Sequence, residues 1–312
     1  MNVAHGYTWL EEALANGGVV VTASRRLARA LRTAFDEAQS DAGLDAWASP
    51  DIHSIHAWLV NLADQGLGTA HSYLRLGEHA AAQLWQQSLD EVARDPLPNR
   101  AGFVRHCVEA WSRCADWCVP LDDVMQYARS PDERLFARAA KVYAESLEAG
   151  QLLDAPGLAA AVRELVRGER IRVPDKLRFA GFDRLTPALQ RLIDACITAG
   201  CDVALLETGE RAADIRRCTF PDPNAELRAA GAWARGLLLQ DPALRVGIVS
   251  SDLQNDAVAT AHLVRDGFAP GWQYADPYFA AAVNVSYGQR LSDYPAIAFA
   301  LTLLRWTCTP LT

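Results

Sequence analysis

Lysine is almost missing from this chain: Lys141 and Lys176 are the only two, so nearly all positive charge is arginine. That bias fits either bidentate recognition of phosphate or the composition of a GC-rich genome, and the count does not choose between them. Long apolar runs are missing as well. No segment reaches the roughly 20 apolar residues that span a bilayer, and residues 1–18 lack the basic start and apolar middle of a secretory signal. No membrane association is expected, and the expected location is cytoplasmic. Cys107, Cys114, Cys118, Cys196, Cys201, Cys218 and Cys308 form no CxxC set and no compact Cys/His knuckle. Their odd number argues against a closed disulfide framework, so reduced, mostly buried thiols are expected. Cys114 and Cys118 lie one helical turn apart with His106 and Cys107 upstream, but a structural zinc site shows two tight ligand pairs, which this group lacks. Internal repeats and low-complexity tracts are absent too.

What is present is an acidic, foldable chain. The net charge is −8 and the pI about 5.4. That balance opposes nonspecific nucleic-acid binding by the surface as a whole, so any DNA contact must be local. Half of the residues are hydrophobic and 22% are charged, as in a folded protein. At 312 residues the chain is long for one core, which implies two domains or one domain with a large insertion.

The stretch from Gly18 to Phe35, GVVVTASRRLARALRTAF, packs most information into least length. Val19, Val20 and Val21 read as a strand covered on both faces. Thr22 and Ser24 then offer hydroxyls where the first turn of a helix has free N–H groups. Leu27, Leu31 and Phe35 share one helix face, with Arg25, Arg29, Arg32 and Asp36 pointing mostly elsewhere. A strand feeding a hydroxyl-rich helix start with arginines in its first turns suits a phosphate backbone laid across a sheet edge. On spacing alone, a capped surface helix with solvated arginines is the commoner explanation. Tyr7 to Asn16 is a short helix candidate ended by Gly17 and Gly18. Asp51 to Ala63, DIHSIHAWLVNLA, is a strand-to-helix junction. His53 and His56 are close enough in sequence to share a metal, but no third ligand is implied nearby, and a polar junction with a packed Trp58 is the better reading.

From about Ser72 to Gly168 the pattern is nearly continuous helix, with Leu84, Trp85, Leu89 and Val92 on one face and Phe103, Cys107, Trp111, Cys114 and Cys118 on another. Prolines 96, 98, 120 and 131 divide it, and Gly150 ends the helix begun near Glu133. Its aromatic stripe reads as core rather than as a platform for bases. The α/β pattern then returns: a strand over Leu177–Phe182, a turn with Pro187, a helix over Ala188–Ala199 and a strand over Asp202–Leu206. Short connections imply parallel pairing and right-handed crossovers. Arg216–Phe220 and Arg245–Ser251 are further candidate strands, flanking a helix over Pro223–Leu239.

Several of these segments together resemble a known family. TASRRLARAL resembles the strand-to-helix motif that comes after the nucleotide loop in superfamily 1 helicases of the UvrD and RecB kind, and DIHSIHAWL resembles their next motif. LEAGQLLDAPGLAAAV is similar to the end of their helical insertion, and FAGFDRLTPALQRLI to a segment near their third motif. NAELRAAGAWARGLLLQDPALRVGIVSSD resembles the start of their second motor domain, and VNVSYGQRLSDYPAIAFALTLLRW resembles the next part of that domain. The nearest likeness is to AddB-like proteins, the bacterial family of probable DNA repair proteins. It implies a RecA-like α/β domain made of residues 1–71 and 171–215, a helical insertion over 72–170, and the start of a second RecA-like domain over 216–312. It also implies a PD-(D/E)XK nuclease, with its Mg²⁺, beyond Thr312.

The departures from that pattern decide the activity. No G-x-x-x-x-G-K-[ST] loop occurs, and at the turn where an acidic pair would hold magnesium the chain has Gly181, Phe182, Asp183 and Arg184. No carboxylates converge with Lys176 or Lys141 as a nuclease core requires. The expectation is a catalytically silent, helicase-like front half of a DNA-repair nuclease, without a cofactor of its own, that guides a single strand or a duplex end. The residues expected to touch DNA are Thr22, Ser24, Arg25, Arg26, Arg29, His53, Ser54 and His56, with Asp183 marking the degraded motor centre or capping the helix near Thr186. The alternative is a scaffold for a partner helicase or nuclease subunit. Purified chain should neither bind nor hydrolyse ATP, and nucleotide turnover above background in a coupled assay would refute that expectation.

Overall fold

A computed structural model describes residues 9–66, 73–93, 96–206, 214–251, 253, 256–274, 282–286 and 291–308. The chain divides into two compact units, 2–210 and 211–312.

In the first unit, β1 (Val19–Thr22), β2 (Ile52–Ser54), β5 (Lys176–Ala180) and β6 (Asp202–Leu206) form one parallel sheet in the order β2-β1-β5-β6. β1 pairs on both sides, Val20 opposite Ile52 and Arg178, Thr22 opposite Ser54 and Ala180. α2 (Arg25–Asp41) carries the chain from β1 to β2, and α9 (Pro187–Thr198) carries it from β5 to β6 in the opposite direction. Right-handed crossovers running in opposite directions put their helices on opposite faces. α1 (Leu10–Leu14) and α2 accordingly share a core with Val20, Ile52 and Ala180 through Leu10, Ala13, Ala28 and Leu31. On the other face Val21, Leu177 and Phe179 meet α3 (Ile55–Gln65), α8 (Leu158–Arg167) and α9 through Trp58, Leu62, Val162, Leu192 and Ile193. The unit is thus α/β, as its alternating pattern implies. Gly181 closes β5 at φ +74°, and a Cβ there would lie 2.5 Å from Leu27 Cδ2, so only glycine lets the loop after β5 meet α2.

The helical block has its own core. α4 (Glu78–Val92), α5 (Arg100–Asp116) and α7 (Pro131–Ala149) bury Trp85, Leu89, Val104, Cys107, Leu135, Ala139, Ala140 and Tyr143 together, and α6 (Leu121–Tyr127) packs on α7. Trp85 stacks on Tyr143 with ring centroids 4.2 Å apart. The Ser130 hydroxyl accepts from Glu133 N while Glu133 accepts from Ser130 N, a capping box with Pro131 at the first helical position.

Two features depart from a purely helical insertion over 72–170. β3 (Leu74–Arg75) and β4 (Leu152–Leu153) pair in parallel where the chain enters and leaves the block. And α8, expected inside the block, packs instead in the α/β core, because Leu158, Val162 and Val166 repeat every four residues and make one apolar stripe toward α3 and α9. Asp154, which is 3% exposed, ties the exit of the block to α5 and α7. Its Oδ2 accepts from Trp111 Nε1 at 2.7 Å and from the Tyr143 hydroxyl at 3.2 Å, and its Oδ1 accepts from Gly157 N at 2.9 Å. Burial, seconded by this carboxylate, pushes the Tyr143 phenol well above its usual range.

In the second unit, α10 (Pro223–Gln240) and α11 (Ala257–Phe268) lie in close contact, and α12 (Pro295–Cys308) comes after them. A Cβ on Gly231 would lie 2.1 Å from Val264 O, and one on Gly267 1.8 Å from Arg228 O, so paired glycines set the spacing of the two helices. The strands expected over Arg216–Phe220 and Arg245–Ser251 are not formed. Val246, Ile248 and Ser250 do alternate with more exposed neighbours, Val249 being 97% exposed, but the segment forms no strand. Among the described residues no helix is long and apolar enough to cross a membrane.

Replacing Asp154 by alanine strands three donors, two of them in the core of the helical block, and should cost about 3 kcal/mol of unfolding free energy in urea titrations. Tyr143→Phe, which removes one donor and leaves the other two, should cost about 1 kcal/mol. An equal or smaller loss for Asp154→Ala would refute the keystone role.

Candidate functional site

Only Ala23 and Ser24 separate β1 from α2. Ser24 is extended (φ −141°, ψ 150°), and its hydroxyl accepts from Leu27 N at 3.2 Å, so it caps the helix as its position implies. The face that α2 turns to the sheet is Ala28, Leu31 and Ala34, small enough for close approach, with Leu27 and Phe35 only partly covered. Arg25, Arg26 and Arg29 fall on the outer side and are exposed. Arg32 instead donates to the Ile52 carbonyl and helps hold α2 against β2.

The loop after β5 lies directly beside this turn. Ala23 N donates to Ala180 O at 3.1 Å, and Gly181 meets Leu27. This is the carboxyl edge of the sheet, where β1 and β5 are neighbours and the connections leave in opposite directions; from Gly181 the loop runs through Phe182, which packs on Phe179, to Asp183 and Arg184. Such a reversal point opens a crevice in doubly wound sheets and is where they bind ligands. Asp183 and Arg184 are both exposed. The capping role considered for Asp183 belongs to Thr186, whose hydroxyl accepts from Leu189 N at 3.4 Å.

The other expected ligands do not converge on this edge. Thr22 is fully buried, and its hydroxyl donates inward to Ser24 O at 2.9 Å and His53 O at 3.3 Å, so it holds the turn and cannot meet a ligand from solvent. Ser54 sits opposite it in the ladder and is 6% exposed. His53 and His56 line two different clefts. His53 lies 3.5 Å from Asp51 in a cleft of about 570 Å³ with Asn61, Gln65 and Arg172, whereas His56 borders one of about 360 Å³ with Trp111 and Asp154. Strand alternation explains the first separation, since His53 projects away from the face shared by Ile52 and Ser54, and the start of α3 explains the second.

Arg184 and Asp154 are prominent in the structure and carry little signal in the sequence. Arg184 has none beyond following Asp183 in the turn after β5. Asp154 has a faint one, an aspartate three residues before Gly157 at a helix start, the spacing of a side-chain cap. Burial pushes the Cys107 and Cys196 thiols up to about 12 and Cys201 to about 11, which keeps them protonated and unreactive. Among the described residues no three His, Cys, Asp or Glu side chains group as a metal set.

The arrangement is an open cationic edge. A two-residue, glycine-free connection cannot wrap a row of backbone N–H groups around a phosphate cluster as a nucleotide loop does. Exposed guanidinium groups spaced along α2 can contact successive phosphates of an extended chain. Comparison with models of known protein families gives no match, and comparison with characterised proteins gives none either.

Thr22→Val should lower stability by about 1 kcal/mol in chemical denaturation, since it removes the one hydroxyl proton that the part-buried Ser24 and His53 carbonyls share, yet should leave polyanion binding unchanged. A variant of unaltered stability that no longer binds would put Thr22 back among the contacts.

Proposed function

We propose that this chain is the helicase-like, catalytically silent front region of a bacterial DNA-repair nuclease, and that its RecA-like α/β domain binds and guides a DNA strand. One observation carries the reading: Arg25, Arg26 and Arg29 stand exposed at the reversal point of a parallel sheet, and the adjoining loop, which meets α2 at Gly181, carries the exposed Arg184 three residues on. Among the described residues Arg25, Arg29 and Arg184 make no ion pair, so their charge remains free for a ligand. Ser24 lies at the head of the same helix, where its orientation favours negative charge. The strand order, the helical insertion between α3 and α8 and the series of motif resemblances support the RecA-like assignment. On this reading strand cleavage and its Mg²⁺ belong to a nuclease domain elsewhere in the protein, and the work is cytoplasmic.

A second reading, a scaffold for a partner helicase or nuclease subunit, is favoured by the net charge of −8 and by Phe299, Leu304 and Trp306 of α12, each more than half exposed. Fluorescence anisotropy with labelled single- and double-stranded oligonucleotides separates the two. If the arginine edge guides DNA, affinity falls with salt, and Arg25, Arg26 and Arg29 changed together to alanine lower the slope of log K against log salt by about 2, at roughly 0.7–0.9 per lost contact. Absence of binding at low salt would leave the scaffold as the surviving function.

A further inference from the structure

The cleft bordered by His56 lies at the seam between the helical block and the α/β core, and its chemistry is opposite to that of the arginine edge. About 360 Å³ is enclosed by apolar side chains from α3, α4, α5 and α8, among them Val60, Ala81, Val108 and Leu158, with Trp111 and Tyr143 beside them. Asp154 also lines the cleft. Two of its three bonds fall on Oδ2 and one on Oδ1. A carboxylate offers about four acceptor directions, so Oδ1 keeps one of them. Among the described residues no Arg, Lys or His pairs with this carboxylate, although it is only 3% exposed.

The remaining charged groups on the wall do not cancel it. Arg75 is held by Asp64 at 3.1 Å, and Glu78 adds a second carboxylate at the mouth. Leaving His56 aside, Arg75, Glu78 and Asp154 sum to one negative charge. A buried carboxylate in apolar surroundings repels a phosphate and favours a group that brings both a positive charge and an N–H donor. The apolar walls favour a ligand whose remaining surface is hydrocarbon.

We propose that this cleft is a binding site for a small organic cation, a primary ammonium group on an apolar body, whose N–H donates to Asp154 Oδ1 while the body lies against Val60, Val108 and Trp111. The site is independent of the strand-guiding function, because it selects the opposite charge and uses none of Arg25, Arg26 or Arg29.

The experiment uses the whole chain and three isosteric probes: 2-phenylethylammonium, neutral 2-phenylethanol and anionic 3-phenylpropionate, monitored by saturation-transfer NMR and by tryptophan fluorescence titration. The ammonium should bind at least about tenfold more tightly than either of the others. Val108→Trp fills the cleft from its partly exposed rim without touching Asp154, and should weaken ammonium binding by a similar factor. Asp154→Asn removes the charge at nearly constant size and should abolish the preference for ammonium over alcohol. If that variant does not fold, the Val108→Trp titration and the probe comparison still decide. Equal affinity for the alcohol, no binding of the ammonium, or binding indifferent to Val108→Trp would each overturn the proposal.

Discussion

Because β1 is paired on both sides, every other part of the first unit has a determined place. Val20 and Val21 are fully buried, one under each helix layer, and the strand they belong to receives β2 on one side and β5 on the other. Chain chirality does the rest. The crossover through α2 and the crossover through α9 have the same hand but opposite directions, so they cover opposite faces and part at the carboxyl ends of β1 and β5. The start of α2 and the loop after β5 meet at that parting, through Ala23 with Ala180 and Leu27 with Gly181. The sequence supplies the cluster of Arg25, Arg26 and Arg29, and sheet order places it at the reversal point.

The same constraint explains how a helical block of separate core is tolerated between α3 and α8. Its two ends emerge side by side as β3 and β4, so an insertion of many residues alters neither α3 nor α8. What fastens the block is polar. Asp154 gathers a donor from α5, one from α7 and one from the start of α8, and a buried carboxylate so arranged makes relative movement of those elements costly. Two regions of opposite electrostatic character consequently occur in one unit: an exposed edge of guanidinium groups, and an apolar seam with a carboxylate at its wall. A polyanion suits the first and is repelled by the second.

Local chemistry is legible wherever the residue and its immediate neighbours decide the outcome. The Ser24 cap, Pro187 at the head of α9 and the strand Asp202–Leu206 all arise from side chains within four positions of one another. The valine run likewise behaves as a doubly covered strand. Patterns that need a distant partner are less readable. Arg245–Ser251 has the alternation of a strand and does not form one, while the stripe of Leu158, Val162 and Val166 reads equally well as part of a bundle or as one layer of an α/β core.

By itself, then, the sequence determined the class of most elements, the α/β character, the absence of a phosphate loop and the exposure of Arg25, Arg26 and Arg29, because propensity, capping and amphipathic period act over a few residues. Only the tertiary structure decided which of the candidate ligands could act together. It turned Thr22 inward to two carbonyls, sent His53 and His56 to separate clefts, and buried Asp154 at the seam between the helical block and the α/β core. Those outcomes depend in part on bonds between residues tens of positions apart, Thr22 with His53 and Trp111 with Asp154, which the fold brings together and which no local pattern encodes.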